Sequence, residues 1–185
     1  MFPLVFGLVP EQFKQSVSNY LKTRGMVCSV YGAQYFLEAL YQNGGVDHAF
    51  QLMTADDSRS WVNMIRSGAT MTMEAWDIKY KKNLDWNHAW GAAPANIIPM
   101  YLMGIKPLEP GFGKVEIYPQ ISDLTSAKIK FPTIRGPIHI SIQKNLSLSY
   151  EITLPANMEG VVYFPNENKK VFLNGCEIND EIVCH

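Results

Sequence analysis

The spacing of apolar residues changes at Gly104, and this change constrains the fold more than any other feature of the chain. Before Gly104, apolar residues recur at the three- and four-residue intervals of a helix, as in residues 13–21 and 35–40. After it, segments such as residues 138–142 alternate apolar and polar residues, which is the period of a strand with one buried face. The sequence therefore predicts an α+β chain with a helical domain over residues 1–103 and a strand-rich domain over residues 104–185.

The helical part is expected to contain antiparallel helices joined by short loops. Pro10 precedes the first helical pattern, and residues 43–45, Asn-Gly-Gly, end the second. Further short helices are predicted over residues 46–53 and 62–66. Residues 89–103 predict a longer helix that Pro94 and Pro99 should kink or divide, because proline has no backbone N–H to donate.

The second part is expected to form an antiparallel β-sandwich, because short strands follow one another at regular intervals. Asn174-Gly175 between two apolar segments predicts a type I′ hairpin. The predicted strands are residues 114–118, 127–131, 138–143, 146–154, 160–164 and 170–173.

Composition excludes several classes of protein. Of the 185 residues, 47% are hydrophobic, which is enough apolar side chain to form packed cores. Only 18% are charged and the net charge is −1, which argues against a nucleic-acid-binding protein. No run approaches the roughly 20 apolar residues of a membrane-spanning helix. Residues 1–10 lack the basic leader of a secretion signal, so no compartment is assigned. The three cysteines lack the C-x-x-C spacing of a zinc site, and no metal is expected.

All four tryptophans lie within 30 residues of one another, and acidic residues and a histidine lie among them. Indole faces that cover the apolar side of a sugar ring, with carboxylates and an imidazole that bind its hydroxyls, are typical of a carbohydrate site. The tryptophans could instead belong to a core. The residues concerned are Trp61, Trp76, Trp86, Trp90, Glu74, Asp77, Asp85 and His88.

Three blocks of this region resemble a known family. They are Gly-Ala-Thr-x-x-x-Glu-x-Trp at 68–76, Asp-Trp-Asn-His-Ala-Trp-Gly at 85–91, and Gly-Ile-Lys-Pro-Leu-Glu-Pro-Gly-Phe at 104–112. Their order and spacing resemble the C-terminal part of bacterial α-L-rhamnosidases, and the likeness continues to about residue 145. The resemblance implies part of an (α/α)₆ helical barrel followed by a β-sandwich.

The resemblance also implies a reaction. In that family two carboxyl groups perform an inverting hydrolysis that removes terminal α-L-rhamnose, without a metal or organic cofactor. Glu74 is similar in position to the general base, and His88 is similar to a residue that contacts the sugar. The four tryptophans would line the pocket, namely Trp61, Trp76, Trp86 and Trp90. The partner would be a rhamnose-containing glycan or glycoside.

The chain is short for this family, whose general acid lies upstream of the matching region. It is therefore expected to be a C-terminal fragment that lacks the acid and is inactive alone. Two alternatives are a non-catalytic carbohydrate-binding or structural remnant, and an interaction module that pairs through an open barrel edge. Self-association is expected through neighbours of Phe13, Val17, Tyr35 and Leu40.

Single residues also have plainer interpretations. Glu74 could sit in a first helical turn or pair with Arg66, whereas Asp77, Asp85 and residues 79–82 could form a solvated loop. Tyr31, Tyr35 and Tyr41 are most simply helix-core residues.

Overall fold

Helices occupy the first part of the chain and strands occupy the second. The computed structural model of the protein describes residues 1–164, 170–178 and 182–184. Its internal contacts divide the chain into two units, residues 1–98 and 99–185. The helical domain and the β-rich domain expected from the sequence are both present.

Six α-helices lie in the first unit, and four of them were predicted from apolar spacing. Helix α1, which is only four residues long, was not predicted. The helices are α1 (Phe2–Val5), α2 (Glu11–Lys22), α3 (Val30–Gln42), α4 (Val46–Thr54), α5 (Trp61–Arg66) and α6 (Ala93–Ile97).

Helix α3 is the centre of the helical core. It begins at Val30 and is capped by Ser29, whose hydroxyl accepts a hydrogen bond from the Gly32 N–H and so satisfies one of the free donors of the first turn. Its apolar residues, among them Phe36, Leu37 and Leu40, are almost completely buried. The core therefore holds the first turn of α3 in place, and this turn carries Tyr31.

Residues 89–103 are divided, as the two prolines predicted. A 3₁₀ turn (Ala89–Gly91) precedes α6, and a π-helical turn (Ile98–Leu102) follows it. Pro94 lies in the first turn of α6, where no intrahelical partner is lost. The segment just before α6 thus ends in a tight turn at Gly91.

Nine strands form three small sheets in the described residues of the second unit. The first sheet has the order β1–β2–β6–β9, the second β3–β4–β5, and the third β7–β8. The strands are β1 (Ile105–Pro107), β2 (Lys114–Ile117), β3 (Ser126–Phe131), β4 (Ile138–Lys144), β5 (Leu148–Thr153), β6 (Glu159–Val162), β7 (Val171–Leu173), β8 (Cys176–Ile178) and β9 (Ile182–Cys184).

The alternation predicted for β4 is confirmed, because Ile138, Ile140 and Ile142 are buried while the intervening side chains are not. The hairpin at Asn174-Gly175 is also confirmed. It joins β7 to β8, and both residues have the positive φ (49° and 86°) that a type I′ turn requires.

The prediction of a purely antiparallel arrangement is wrong at one pair. Strand β2 runs parallel to β6, with Lys114 opposite Glu159 and Ile117 opposite Val162. The chain between them forms the β3–β5 meander, and this long connection lets it return in the same direction. Strand β1, which pairs with β2, was not predicted.

Among the described residues, no helix is both long and apolar enough to span a lipid bilayer.

Candidate active site

The loop between α5 and α6 folds back on itself and brings the sequence-predicted residues together. The Glu74 N–H donates to the Asp85 carbonyl oxygen (2.9 Å), and the His88 N–H donates to the Thr72 carbonyl oxygen (2.7 Å). The Thr72 hydroxyl donates in turn to the His88 carbonyl oxygen (2.6 Å). Backbone pairing therefore fixes Glu74 and His88 on neighbouring antiparallel segments.

Both carboxylate oxygens of Glu74 accept hydrogen bonds. Lys81 donates to Oε1 in an ion pair, and the Asp85 N–H donates to Oε2 (3.1 Å). These contacts, above all the bond from Lys81, hold the pKa of the Glu74 carboxyl below its usual value. The side chain is 17% exposed, so the ionised group still reaches solvent.

The plainer interpretation of Glu74 is wrong. Glu74 lies outside any helix, and Arg66 pairs with Asp56 instead (3.2 Å). The segment of residues 79–82 is an exposed loop, as expected, but within it Lys81 is bound to Glu74, which raises the pKa of the Lys81 ammonium group.

His88 lies between a hydroxyl and a carboxylate. The Tyr31 hydroxyl oxygen is 3.1 Å from His88 Nε2, a hydrogen-bond distance, and Asp85 Oδ2 is 3.9 Å from His88 Nδ1. The rings of Tyr31, His88 and Trp90 meet edge to face, with centroids 5.2–5.8 Å apart. We call these three residues the aromatic cluster.

The aromatic cluster reaches solvent through Trp90, whereas Tyr31 and His88 are half-buried. Trp90 is 73% exposed, and Trp86 is also exposed. An exposed indole beside hydrogen-bonding groups can cover the apolar face of a sugar ring while the polar atoms bind its hydroxyls. The described residues contain no group of three His, Cys, Asp or Glu side chains placed to hold a metal ion.

Trp61 and Trp76 tie the loop to neighbouring segments through their indole N–H groups. The Trp76 indole is 3% exposed and donates to the Cys28 carbonyl oxygen (2.7 Å), whereas the Trp61 indole donates to the Gly91 carbonyl oxygen (2.7 Å). Their rings meet edge to face, with centroids 4.9 Å apart. The predicted sugar contacts of these two residues stay predictions.

Asp77 orders the loop as well. The Asn63 amide donates to Asp77 Oδ2 (3.1 Å) and to the Trp76 carbonyl oxygen (3.0 Å), and the Lys79 N–H donates to Asp77 Oδ1 (3.0 Å). The bonds from Lys79 and Asn63 lower the pKa of the Asp77 carboxyl. Asp77 is therefore held in place by hydrogen bonds within a loop that remains accessible to solvent.

Sequence reasoning missed Tyr31 and Lys81. Tyr31 and Tyr35 are four residues apart on α3, a spacing that indicates a core-facing helix surface. Tyr31 was therefore assigned to the core, and its contact with His88 was not predicted. Lys81 lies seven residues after Glu74 in irregular chain, where no periodicity indicates which side chains meet. The signal in the sequence was the position of Lys81 between the blocks at 68–76 and 85–91.

Two family models match the chain. Residues 1–102 match the bacterial α-L-rhamnosidase six-hairpin glycosidase domain, and residues 104–175 match the bacterial α-L-rhamnosidase C-terminal domain.

Individual relatives agree with these matches. An α-L-rhamnosidase of Formosa agariphila is 26% identical over 92% of the chain, but the chain spans only 20% of that relative's length. An α-L-rhamnosidase structure from Dictyoglumus thermophilum has 24% identity and a TM-score of 0.84, covering 98% of this chain and 23% of its own. A Streptomyces avermitilis α-L-rhamnosidase, solved in complex with L-rhamnose, has 22% identity and a TM-score of 0.78. The match covers 95% of this chain and 19% of that structure's chain.

Proposed function

The chain belongs to the bacterial α-L-rhamnosidase family. On that premise we propose that it carries the general base of an active site that removes terminal α-L-rhamnose with inversion. One observation supports this most directly. An ionised, solvent-accessible carboxylate, Glu74, lies on a segment paired with the one that carries His88.

Glu74 is proposed as the general base. Its carboxylate takes a proton from a water molecule as the water oxygen bonds to the anomeric carbon, and the glycosidic bond to the leaving oxygen breaks. The leaving oxygen takes its proton from a separate acid, which the resemblance places outside these residues. The lowered pKa of Glu74 supports this role, because a base has to be ionised before it can accept a proton.

The aromatic cluster is proposed as the sugar platform. Trp90 offers its exposed face to the ring, and the His88 and Tyr31 polar atoms bind hydroxyls. Trp61, Trp76 and Trp86 are proposed to complete the pocket. The partner is a rhamnose-containing glycan or glycoside, and this chemistry requires no metal or cofactor.

The architecture proposed for the domains follows the same resemblance. Residues 1–103 would be part of an (α/α)₆ barrel, and residues 104–185 a β-sandwich with one parallel pair. The chain spans about a fifth of its curated relatives, so the activity of a whole rhamnosidase is a proposal here. We expect these 185 residues to bind rhamnose but not to hydrolyse natural rhamnosides, because the resemblance places the general acid outside them.

Binding is tested by titrating the 185-residue chain with L-rhamnose, and with D-glucose as the control sugar, by isothermal calorimetry. Trp90→Ala should weaken L-rhamnose binding about tenfold, roughly 1.4 kcal/mol, because it removes the exposed indole face proposed to cover the apolar side of the sugar. His139→Ala, in the β-rich domain, is the matched control. Absence of L-rhamnose binding, or equal affinity in wild type and Trp90→Ala, contradicts the proposal.

The base is tested with an activated aryl α-L-rhamnoside, whose leaving group depends little on the acid. Slow hydrolysis by the chain should fall about 10²–10⁴-fold in Glu74→Gln, which keeps the shape but cannot accept the proton. An unchanged rate contradicts the role of Glu74. Rapid hydrolysis of a natural rhamnoside contradicts the expected inactivity.

A further inference from the structure

We propose that Lys81 is the positioning residue of Glu74. It binds Oε1 and keeps the carboxylate ionised and correctly oriented while Glu74 activates water. This inference rests on the proposed role of Glu74 as the base. Lys81 belongs to neither of the two sequence blocks on either side of it, and its segment was expected to be solvated.

The two donors to Glu74 differ in kind. The Asp85 N–H that bonds Oε2 is a backbone donor, and the carbonyl oxygen of the same residue accepts from the Glu74 N–H. The Lys81 ammonium that bonds Oε1 is carried on a flexible, partly exposed side chain. Each carboxylate oxygen has two acceptor sites, so one site on each oxygen remains for a water molecule. Together the donors fix the plane of the carboxylate and leave it able to bind that water.

The groups that bind or face Glu74 all lower the pKa of its carboxyl. Lys81 lowers the pKa of the Glu74 carboxyl most, the Asp85 N–H follows, and His88 adds a smaller effect. Lys81 itself faces Glu74, Tyr31 and Asp85, which together raise the pKa of its ammonium group. The pair therefore stays charged well into the acid range. The consequence is a weaker proton acceptor that remains available at lower pH.

The loop does not depend on Lys81 for its shape. Backbone hydrogen bonds already join residues 72–74 to residues 85–88. The Trp61 indole donates to the Gly91 carbonyl oxygen of the loop, and the Trp76 indole, within the loop, donates to the Cys28 carbonyl oxygen. A partly exposed ion pair contributes little to folding stability. What Lys81 controls is thus the protonation and orientation of Glu74.

The first test measures the pKa of the Glu74 side chain in the full 185-residue chain by ¹³C NMR of its carboxyl carbon. Lys81→Met should shift this pKa upward, and Lys81→Arg should keep it below the value in Lys81→Met because the cation is retained. Lys82→Met is the matched control and should leave it unchanged. The same pKa in wild type and Lys81→Met, or an equal shift in Lys82→Met, overturns the inference.

The second test follows L-rhamnose affinity against pH. In an inverting reaction the new anomeric hydroxyl of the product lies where water attacked, against Glu74, so affinity should fall as Glu74 takes up a proton. This fall should occur at higher pH in Lys81→Met than in wild type. Matching pH profiles in the two proteins overturn the positioning role. If wild type binds no L-rhamnose at any pH, the proposed function fails, while the carboxyl titration still decides whether Lys81 governs Glu74.

Discussion

Glu74 and Asp77 are both held as carboxylates by the loop that carries them. The Glu74 pKa is lowered chiefly by Lys81, and the Asp77 pKa chiefly by the Lys79 N–H. A carboxyl group whose pKa is lower in the folded protein than in the unfolded chain stabilises the fold above its unfolded pKa, about 4. That stabilisation is lost as the pH falls through the folded pKa.

The double variant Glu74→Gln/Asp77→Asn should therefore lose less stability in acid than wild type. We expect the urea midpoint of wild type to fall between pH 5 and about pH 3, and that of the variant to fall less, since it has two fewer carboxylates to protonate. Tryptophan fluorescence reports the unfolding of the loop region. Parallel curves of midpoint against pH would contradict the pKa directions.

Gly104 is required by both its conformation and its surroundings. Its φ is +71°, and a Cβ atom there would lie 2.0 Å from the Tyr118 backbone. Gly104→Ala should destabilise the β-rich domain by at least about 2 kcal/mol, because a left-handed residue costs about 1–2 kcal/mol before the clash is added. Gly68→Ala is the control, since Gly68 also has a positive φ (+91°) but open space around it. Equal losses in urea unfolding would refute the clash.

The candidate site was partly accessible from sequence. The resemblance selected Glu74 and His88 by their positions in two blocks, and the structure places these blocks side by side. Lys81 and Tyr31 were not selected, because each contact crosses between segments with no shared periodicity. Sequence patterns report which face of an element is apolar, whereas contacts between loops depend on how the loops fold.

Helix α5 is short, and its N-terminus depends on one buried hydroxyl. Ser60 accepts a hydrogen bond from the Asn63 N–H (3.0 Å) and donates to the Asp57 carbonyl oxygen (2.7 Å). Asn63 in turn bonds the Trp76 carbonyl oxygen and Asp77. The start of α5 is thus coupled to the loop that carries Glu74.

Ser60→Ala should destabilise the helical domain by about 1–2 kcal/mol, because it removes a helix cap and leaves the Asn63 N–H and the Asp57 carbonyl oxygen without the Ser60 hydroxyl. Ser67→Ala, which removes an exposed hydroxyl at the other end of α5, should change stability by less than about 0.5 kcal/mol. Urea unfolding measures both. If the two variants are equally stable, the cap is unimportant.

Strand positions were predictable from sequence, but strand neighbours were not. The alternation of β4 indicated its buried face, and Asn174-Gly175 indicated a hairpin between adjacent strands. Nothing in the local pattern of β2 indicates that its partner is β6, because parallel pairing joins distant segments and the alternation is the same in either direction.

The apolar surface near the start of the chain bears on self-association, and one expected contact is wrong. Leu40 is 1% exposed, so it lies in the core and offers no surface to a second chain. Tyr35 contacts the rings of Phe2 and Phe6, whereas Phe13 is 52% exposed. The exposed apolar residues of this region are Phe2, Phe6, Leu8, Phe13 and Tyr20.

A second copy of the chain is the partner we predict for this surface. Covering a few hundred Å² of apolar surface stabilises an association by several kcal/mol at about 25 cal/mol per Å². Light scattering should show a mass that rises with protein concentration, and Phe13→Ser/Tyr20→Ser should reduce that rise. Tyr118→Ser, at an exposed tyrosine of the β-rich domain, serves as the control. A monomer at all concentrations would contradict this prediction.

The parallel pair β2–β6 also has a consequence for folding kinetics. Strands β3, β4 and β5 pair with sequence neighbours, so each contact closes only a short loop. Joining Lys114 to Glu159 closes a loop that contains the whole meander, which has a larger entropic cost and forms more slowly. Strand β6 should therefore gain protection from amide exchange after β4 during refolding. In a chain synthesised from its N-terminus, β1 and β2 are made before β6. The edge of β2 that pairs with β6 therefore stays unpaired until β6 has emerged.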